Sequence, residues 1–368
     1  MRKRWVLGVL ALAAVTAAAG TASAAPQGAK LTKITLQLKW VPQAQFAGYY
    51  AASLKGFYKA AGLDVTLKNG GPDIIPEQVV ASGQAQFGVD WLPSLLAARD
   101  KGTQLVNVAQ VFAQSGMTQL TWKSSGISTI AGMKGKKVAN WLGGNQYELF
   151  AALTKAGMDP ANNQGVTIVQ QPFDMNLFLK KQVDSASAMT YNELAQVLET
   201  KNPSTGQLYK PSDLNVIKME DVGTGMLEDG VFVRGDWISN KDNQATAKKF
   251  LAASFKGWAY CRDHLKECVQ IVLNNGPTLG KGHQTWQMNE INALVWPAPD
   301  GIGVMNKAAF NRTARIAQQF KVITKAPSPD AYRTDIAQDA VDELDAEGVD
   351  VNGSNWQKAN IKVTPGGS

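Results

Sequence analysis

Only two histidines and two cysteines occur in 368 residues, and that scarcity narrows the chemistry at once. His264 and His283 lie away from the strand-to-helix junctions where α/β proteins assemble their sites. There is no GxSxG, no HExxH and no paired-cysteine metal motif, so no nucleophile, base or metal set announces itself. Neither GxGxxG nor GKS/GKT is present, which leaves a nucleotide-binding turn unsupported. Lys and Arg are dispersed among Asp and Glu without a basic run, which excludes nucleic acid as a partner. Beyond the first residues, no stretch is apolar enough to cross a membrane.

What is present begins with MRKRWVLGVLALAAVTAAAGTASA. Three basic residues, an apolar run and Ala22-Ser23-Ala24 form the pattern of a cleaved export signal over residues 1–24. Its removal takes the formal charge from +7 to +4 and leaves 344 residues, a length that suits two domains better than one. Export also bears on Cys261 and Cys268, since an oxidising compartment favours a disulfide between them. On one unbroken helix their Cα atoms would stand roughly 10 Å apart, too far to bridge. The bond therefore requires a helix break near Asp263–His264; free thiols are the alternative.

Strand and helix patterns alternate along the chain. ITLQLKW reads as a strand ending at Trp40, and QAQFAGYYAASLKGFYKAAG as an amphipathic helix closed by Gly62. LDVTLK, AQFGVD, QLVNVAQVF and MTQLTWK are further strands, the second running directly into a helix. A second unit begins after Trp122, with strands KKVANW, VTIVQQP, SASAMTY and LNVIKMED between helical segments. VFVRGDW then returns the chain to the first unit, long helices follow, and VTPGGS reads as a disordered end. The expected organisation is an export signal at 1–24, first-lobe segments at 25–122 and 229–368, and a second lobe at 123–228. A mostly parallel α/β architecture follows, with both sets of strand ends aimed at a shared cleft.

The strand ends carry the informative residues. Trp40, Trp91 and Trp141 fall at three strand-to-helix junctions, and Tyr191, Asn192 and Glu193 at a fourth. Aromatic faces and polar tips gathered in one cleft suit a flat ligand. Asp90 and Glu193 can accept from ring or exocyclic N–H groups, while Gln43 and Asn192 can donate and accept. Gln43, Asn192 and Glu193 also fit helix-start capping, so both roles stand open. Gly143, Gly144 and Asn145, in the turn of KKVANWLGGNQYELFAAL, would let backbone approach the ligand beside Trp141.

LQLKWVPQAQFAGYYAASLKGFYKAAGLDV, VASGQAQFGVD, GKKVANWLGGNQYE and SAMTYNELAQVLE together resemble the periplasmic solute-binding proteins of ABC importers, in the branch related to thiamine-pyrimidine synthase. The resemblance implies a two-lobed periplasmic binding protein of type II, with two Rossmann-like lobes joined by a two-stranded hinge. It implies a monomer without cofactor or metal that receives a flat heteroaromatic ligand in the periplasm and presents it to an inner-membrane permease. A thiamine pyrimidine precursor is the first expectation and riboflavin the alternative. The synthase branch consumes pyridoxal phosphate and one of its own histidines, and here its reagents are missing. Asp90 and Ser94 stand at its lysine and histidine positions, Phe46 at another histidine, and GMLEDG, containing Glu228, at its cysteine-rich run. Phe46 and Glu228 complete the candidate ligand set, and no enzymatic activity is expected.

Overall fold

The computed structural model describes residues 30–365; the export-signal assignment lies outside them. Ten strands form two five-stranded sheets. β1 (Thr32–Gln37), β2 (Leu63–Lys68), β3 (Phe87–Trp91), β4 (Leu105–Gln110) and β10 (Asp229–Arg234) make the first, in the order β2-β1-β3-β10-β4. β5 (Met117–Trp122), β6 (Lys137–Asn140), β7 (Thr167–Gln170), β8 (Ser185–Met189) and β9 (Leu214–Lys218) make the second, in the order β7-β6-β8-β5-β9.

The two orders are one pattern used twice, with a single strand running against the others in each sheet. In the first sheet that strand is β10, antiparallel to β3 and β4; in the second it is β5, antiparallel to β8 and β9. Each is the strand that has just crossed from the other lobe, so the crossing itself fixes its direction. The sequence reading left MTQLTWK in the first lobe, but β5 pairs at Met117↔Met189 and Thr118↔Lys218 and so lies in the second sheet. A strand pattern alone does not name its partners. The crossing segments, residues 111–116 and 223–228, form the hinge, held together where Phe112 N–H donates to the Asp229 carbonyl at 3.1 Å.

Two local expectations also change. The first helix spans Ala47–Leu54 and stops before Gly56, whose φ of 76° starts a separate turn at Phe57–Ala60; the chain does not run as one helix to Gly62. β1 ends at Gln37, so Trp40 stands in the loop beyond the strand and not on its last residue. Helices Lys241–Asp263 and Leu265–Asn275 are separated at His264, and this break brings the Cα atoms of Cys261 and Cys268 to 5.2 Å, joined by a disulfide.

Alternating strands such as β2 and strands buried along their whole length such as β4 pack against the flanking helices. Phe87 stacks on Phe250 at 4.1 Å in the first lobe, and Trp122 on Phe178 at 4.7 Å in the second. Helix Lys281–Val295 packs on Leu265–Asn275 and also touches Glu193–Leu198 of the second lobe. Residues 366–368 lie outside the described part of VTPGGS, but Val363 packs against the second lobe's core. No helix among the described residues is long and apolar enough to cross a membrane.

A candidate ligand cavity between the lobes

Trp40, Gln43, Gln45 and Trp91 from the first lobe meet Trp141, Asn145, Phe173, Met189, Tyr191, Asn192 and Glu193 from the second around one cavity. The carboxyl ends of β3 and β8 and the segments after β1, β6 and β8 supply most of them, because each strand delivers its carboxyl end to the cleft. The cavity volume is only about 20 Å³. The lobes are drawn close. Trp40 meets Trp141 at 6.4 Å between ring centroids and Phe173 at 6.2 Å, so the aromatic wall is shared between lobes.

Polar groups in this wall are placed by a network and not by helix capping. Gln43 occupies the N-cap position of the turn Ala44–Phe46 without a capping hydrogen bond. It donates to Gln45 Oε1 at 2.8 Å and accepts from Gln287 at 2.6 Å. Asn192 likewise makes no side-chain cap to the helix Glu193–Leu198. Its Nδ2 donates to Glu193 Oε1 at 2.7 Å, while Met189 N–H donates to Oε2 at 2.9 Å. Burial pushes the Glu193 carboxyl up to about 7, against the lowering effect of the Met189 and Asn192 donors. Asn145 Nδ2 is buried and has no hydrogen-bond partner among the described residues, leaving a donor for a ligand acceptor.

Five predicted residues sit elsewhere. Phe46 is wholly buried in the core. Asp90 lies beside the cavity wall in a buried ion pair with Lys39 (3.3 Å), its carboxyl raised by burial even though Lys39 opposes the shift. Gly143 and Gly144 line an adjoining groove at the cleft mouth and serve as a contact between lobes. Lys39 Nζ donates to the Gly143 carbonyl at 3.2 Å and Ser94 Oγ to that of Gly144 at 2.6 Å. Glu228 belongs to the hinge, where Gly116 N–H and Ser115 Oγ donate to its carboxylate at 2.8 and 3.1 Å.

Glu148, on the helix Tyr147–Lys155, lies 2.7 Å from the same Ser115 hydroxyl, whose single proton the two carboxyl groups share. Burial pushes Glu148 up to about 8 and Glu228 well above the usual carboxylate range. Gln45, Phe173 and Met189 are lining residues that sequence reasoning missed. Met189 was within reach, since it ends the strand whose next residues were singled out; Phe173 follows β7 by three positions and carries no such marker. His283 also departs from expectation. It stands off the strand ends in sequence, yet its Nε2 lies 2.8 Å from Asn192 Oδ1.

The family model described as NMT1/THI5 like matches residues 43–268, a span covering both lobes, the hinge and most of the cavity wall. The chain belongs to the NMT1/THI5-like family. Within reach of it is the riboflavin-binding protein RibY of Chloroflexus aurantiacus, 27% identical over 330 residues, covering 83% of this chain and 89% of that protein. A Haemophilus influenzae protein named for thiamine biosynthesis is 24% identical, covering 83% of this chain and 92% of its own. Among solved structures, the periplasmic aliphatic sulphonate binding protein SsuA of Escherichia coli superposes with a TM-score of 0.59 at 16% identity, covering 90% of this chain and 94% of its own. The architecture is that of a two-lobed periplasmic binding protein.

Proposed function

We propose that this protein is the solute-binding component of an ABC importer and that it closes on a flat N-heterocycle of the thiamine-pyrimidine type. One observation carries the reading: an aromatic wall shared between two lobes, with a buried carboxylate, Glu193, and an unengaged amide donor, Asn145, at its edge. An aminopyrimidine offers two faces for stacking, an exocyclic N–H for Glu193 and a ring nitrogen for Asn145 Nδ2. The names of the Escherichia coli and Chloroflexus aurantiacus proteins support the receptor role, and that of the Haemophilus influenzae protein supports thiamine chemistry.

Riboflavin is the second reading, favoured by RibY and by the number of aromatic rings. The cavity volume of about 20 Å³ is far below the ~300–1,000 Å³ usual for ligand pockets, so neither ligand fits until the lobes part. Cavity size therefore favours neither; the pyrimidine comes first because one aromatic sandwich and one carboxylate satisfy it. Both ligands require the lobes to part for entry and close again, the motion a two-segment hinge provides. The closed form would be what the permease recognises. The cavity has aromatic and amide groups but no paired nucleophile and base, so binding and delivery describe it better than turnover.

The test is titration of ligand-free protein with 4-amino-5-hydroxymethyl-2-methylpyrimidine and, separately, riboflavin, followed by tryptophan fluorescence. Saturable quenching by the pyrimidine alone is expected. Saturation by riboflavin alone selects the second reading, silence with both removes both ligands, and conversion of either ligand to a product overturns the receptor role.

A further inference from the structure

His283 is wholly buried on the helix Lys281–Val295, which packs on the first lobe, yet both of its ring nitrogens face the second. Nδ1 lies 2.9 Å from Glu199 Oε2, and Nε2 lies 2.8 Å from Asn192 Oδ1. Glu199 follows the helix Glu193–Leu198 and is itself buried. The ring therefore bridges two points of the second lobe, one of them adjacent to the cavity.

Hydrogen-bond direction makes this more than a packing contact. Asn192 Nδ2 donates to the Glu193 carboxylate at 2.7 Å, which turns its Oδ1 toward His283. A carbonyl oxygen only accepts, so Nε2 donates to Asn192 Oδ1; between Nδ1 and the Glu199 carboxyl one proton is shared, carried by either partner. Were the Asn192 amide reversed, its carbonyl would face Glu193 Oε1, an acceptor opposite an acceptor whenever that carboxylate is ionised. The charged groups facing the ring are Glu199 directly and Glu193 through Asn192. On the first-lobe side, Gln284 and Gln287 of the same helix are engaged with Ala44 N–H, and Glu290 is paired with Lys358 at the surface.

We propose that His283 is a positioning residue, held at Nδ1 by Glu199, that donates from Nε2 to Asn192 and through Asn192 aims the Glu193 carboxylate at an N–H donor of the ligand. The assignment rests on the proposed aminopyrimidine reading for its last step, but not for the state of the ring.

Two measurements test it. In ligand-free, ¹⁵N-labelled protein carrying His264→Gln, His283 is the sole histidine, and two-bond ¹H–¹⁵N spectra at neutral pH should show Nε2 bearing a proton. An Nε2 without a proton overturns the proposal whether or not any ligand binds. The second compares 4-amino-5-hydroxymethyl-2-methylpyrimidine with its analogue lacking the 4-amino group, in wild type and in His283→Leu paired with Glu199→Gln, so that no carboxylate is left orphaned. Affinity for the amino compound should fall about tenfold or more, the scale of a hydrogen bond to a charged group. The analogue should change far less, and His283→Gln, whose amide can still donate to Asn192, should recover part of the loss. Equal losses for both compounds would mean a purely structural role. Failure of wild type to bind either compound would defeat the proposed function, with the ring spectrum still deciding the state of His283.

Discussion

Trp40 and Trp141 stand edge to face, 6.4 Å between centroids and 67° between planes, one contributed by each lobe. An edge-to-face pair covers one face of one ring only, so a ligand can stack on a remaining face once the lobes part. Trp141 is held by its indole N–H, which donates to the Pro172 carbonyl at 3.3 Å. Trp141→Ala should weaken binding of 4-amino-5-hydroxymethyl-2-methylpyrimidine by about 1–3 kcal/mol, the cost of losing one well-packed aromatic anchor. Calorimetric titration measures it, and unchanged affinity in a folded variant would take Trp141 out of the site.

Glu193 gives the binding its pH dependence. Its carboxyl is pushed up to about 7 by burial, so in the free protein it is protonated in much of the population near neutrality. A ligand N–H needs the ionised form. Affinity for the aminopyrimidine should therefore rise as pH increases from about 6 to 8 and level off above that. Asp229, also near 7 through burial, lies in the same region, so Glu193→Gln is the necessary control: it should bind more weakly and lose most of the pH dependence. A wild-type slope retained in Glu193→Gln would assign it to another group.

These residues also show how far the sequence could be read. Alternation of strand and helix exposed the two-lobed architecture, and the tryptophans after β1, at the end of β3 and after β6 marked the cleft because strand ends must converge there. The partner of MTQLTWK was hidden, since pairing is set by residues some 70 positions away, as in Thr118 Oγ1 donating to the Ala188 carbonyl. Phe173 and Gln45 look like any core or turn residue until the lobes close over them. His283 was hidden most deeply, because its role depends on two partners at positions 192 and 199 that only the tertiary fold brings to its ring.

Buried carboxyls should make the protein more stable in mild acid than in mild base. Glu148 is raised by burial to about 8 from 4.5, and Glu193 to about 7 from the same value. Asp229 is raised by burial to about 7 from 3.8. Folding raises each group above its unfolded value, so the stability each contributes is fully present below the unfolded value and is lost as pH rises through the folded one. The thermal midpoint should fall between about pH 5 and pH 8. Glu148→Gln, which keeps an acceptor for Ser115 Oγ without a proton to lose, should flatten that fall. A midpoint that rises over this interval, or an unaltered slope in the variant, contradicts the assignment.

Closure itself can be tested at the glycine pair. Gly143 and Gly144 have φ of 112° and 125°, so a side chain at either strains the backbone. Their surroundings differ. A Cβ on Gly144 would lie 3.0 Å from Ser94 Oγ and 3.4 Å from Lys39 Nζ, both across the cleft, whereas one on Gly143 meets nothing nearer than the Pro72 carbonyl at 4.0 Å. Gly143→Ala therefore carries the backbone strain alone, and Gly144→Ala adds a tight contact, made only when the lobes are together, to a Ser94 hydroxyl that its bond to the Gly144 carbonyl keeps from yielding. Overpacking of this kind costs about 1–3 kcal/mol, so Gly144→Ala should bind the pyrimidine more weakly than Gly143→Ala by roughly tenfold, with similar thermal midpoints in the absence of ligand for lobes free to part. X-ray scattering at saturating ligand should show the more expanded form in Gly144→Ala. Equal affinities for the two variants would mean that Ser94 and Lys39 merely touch this loop and do not hold the lobes closed.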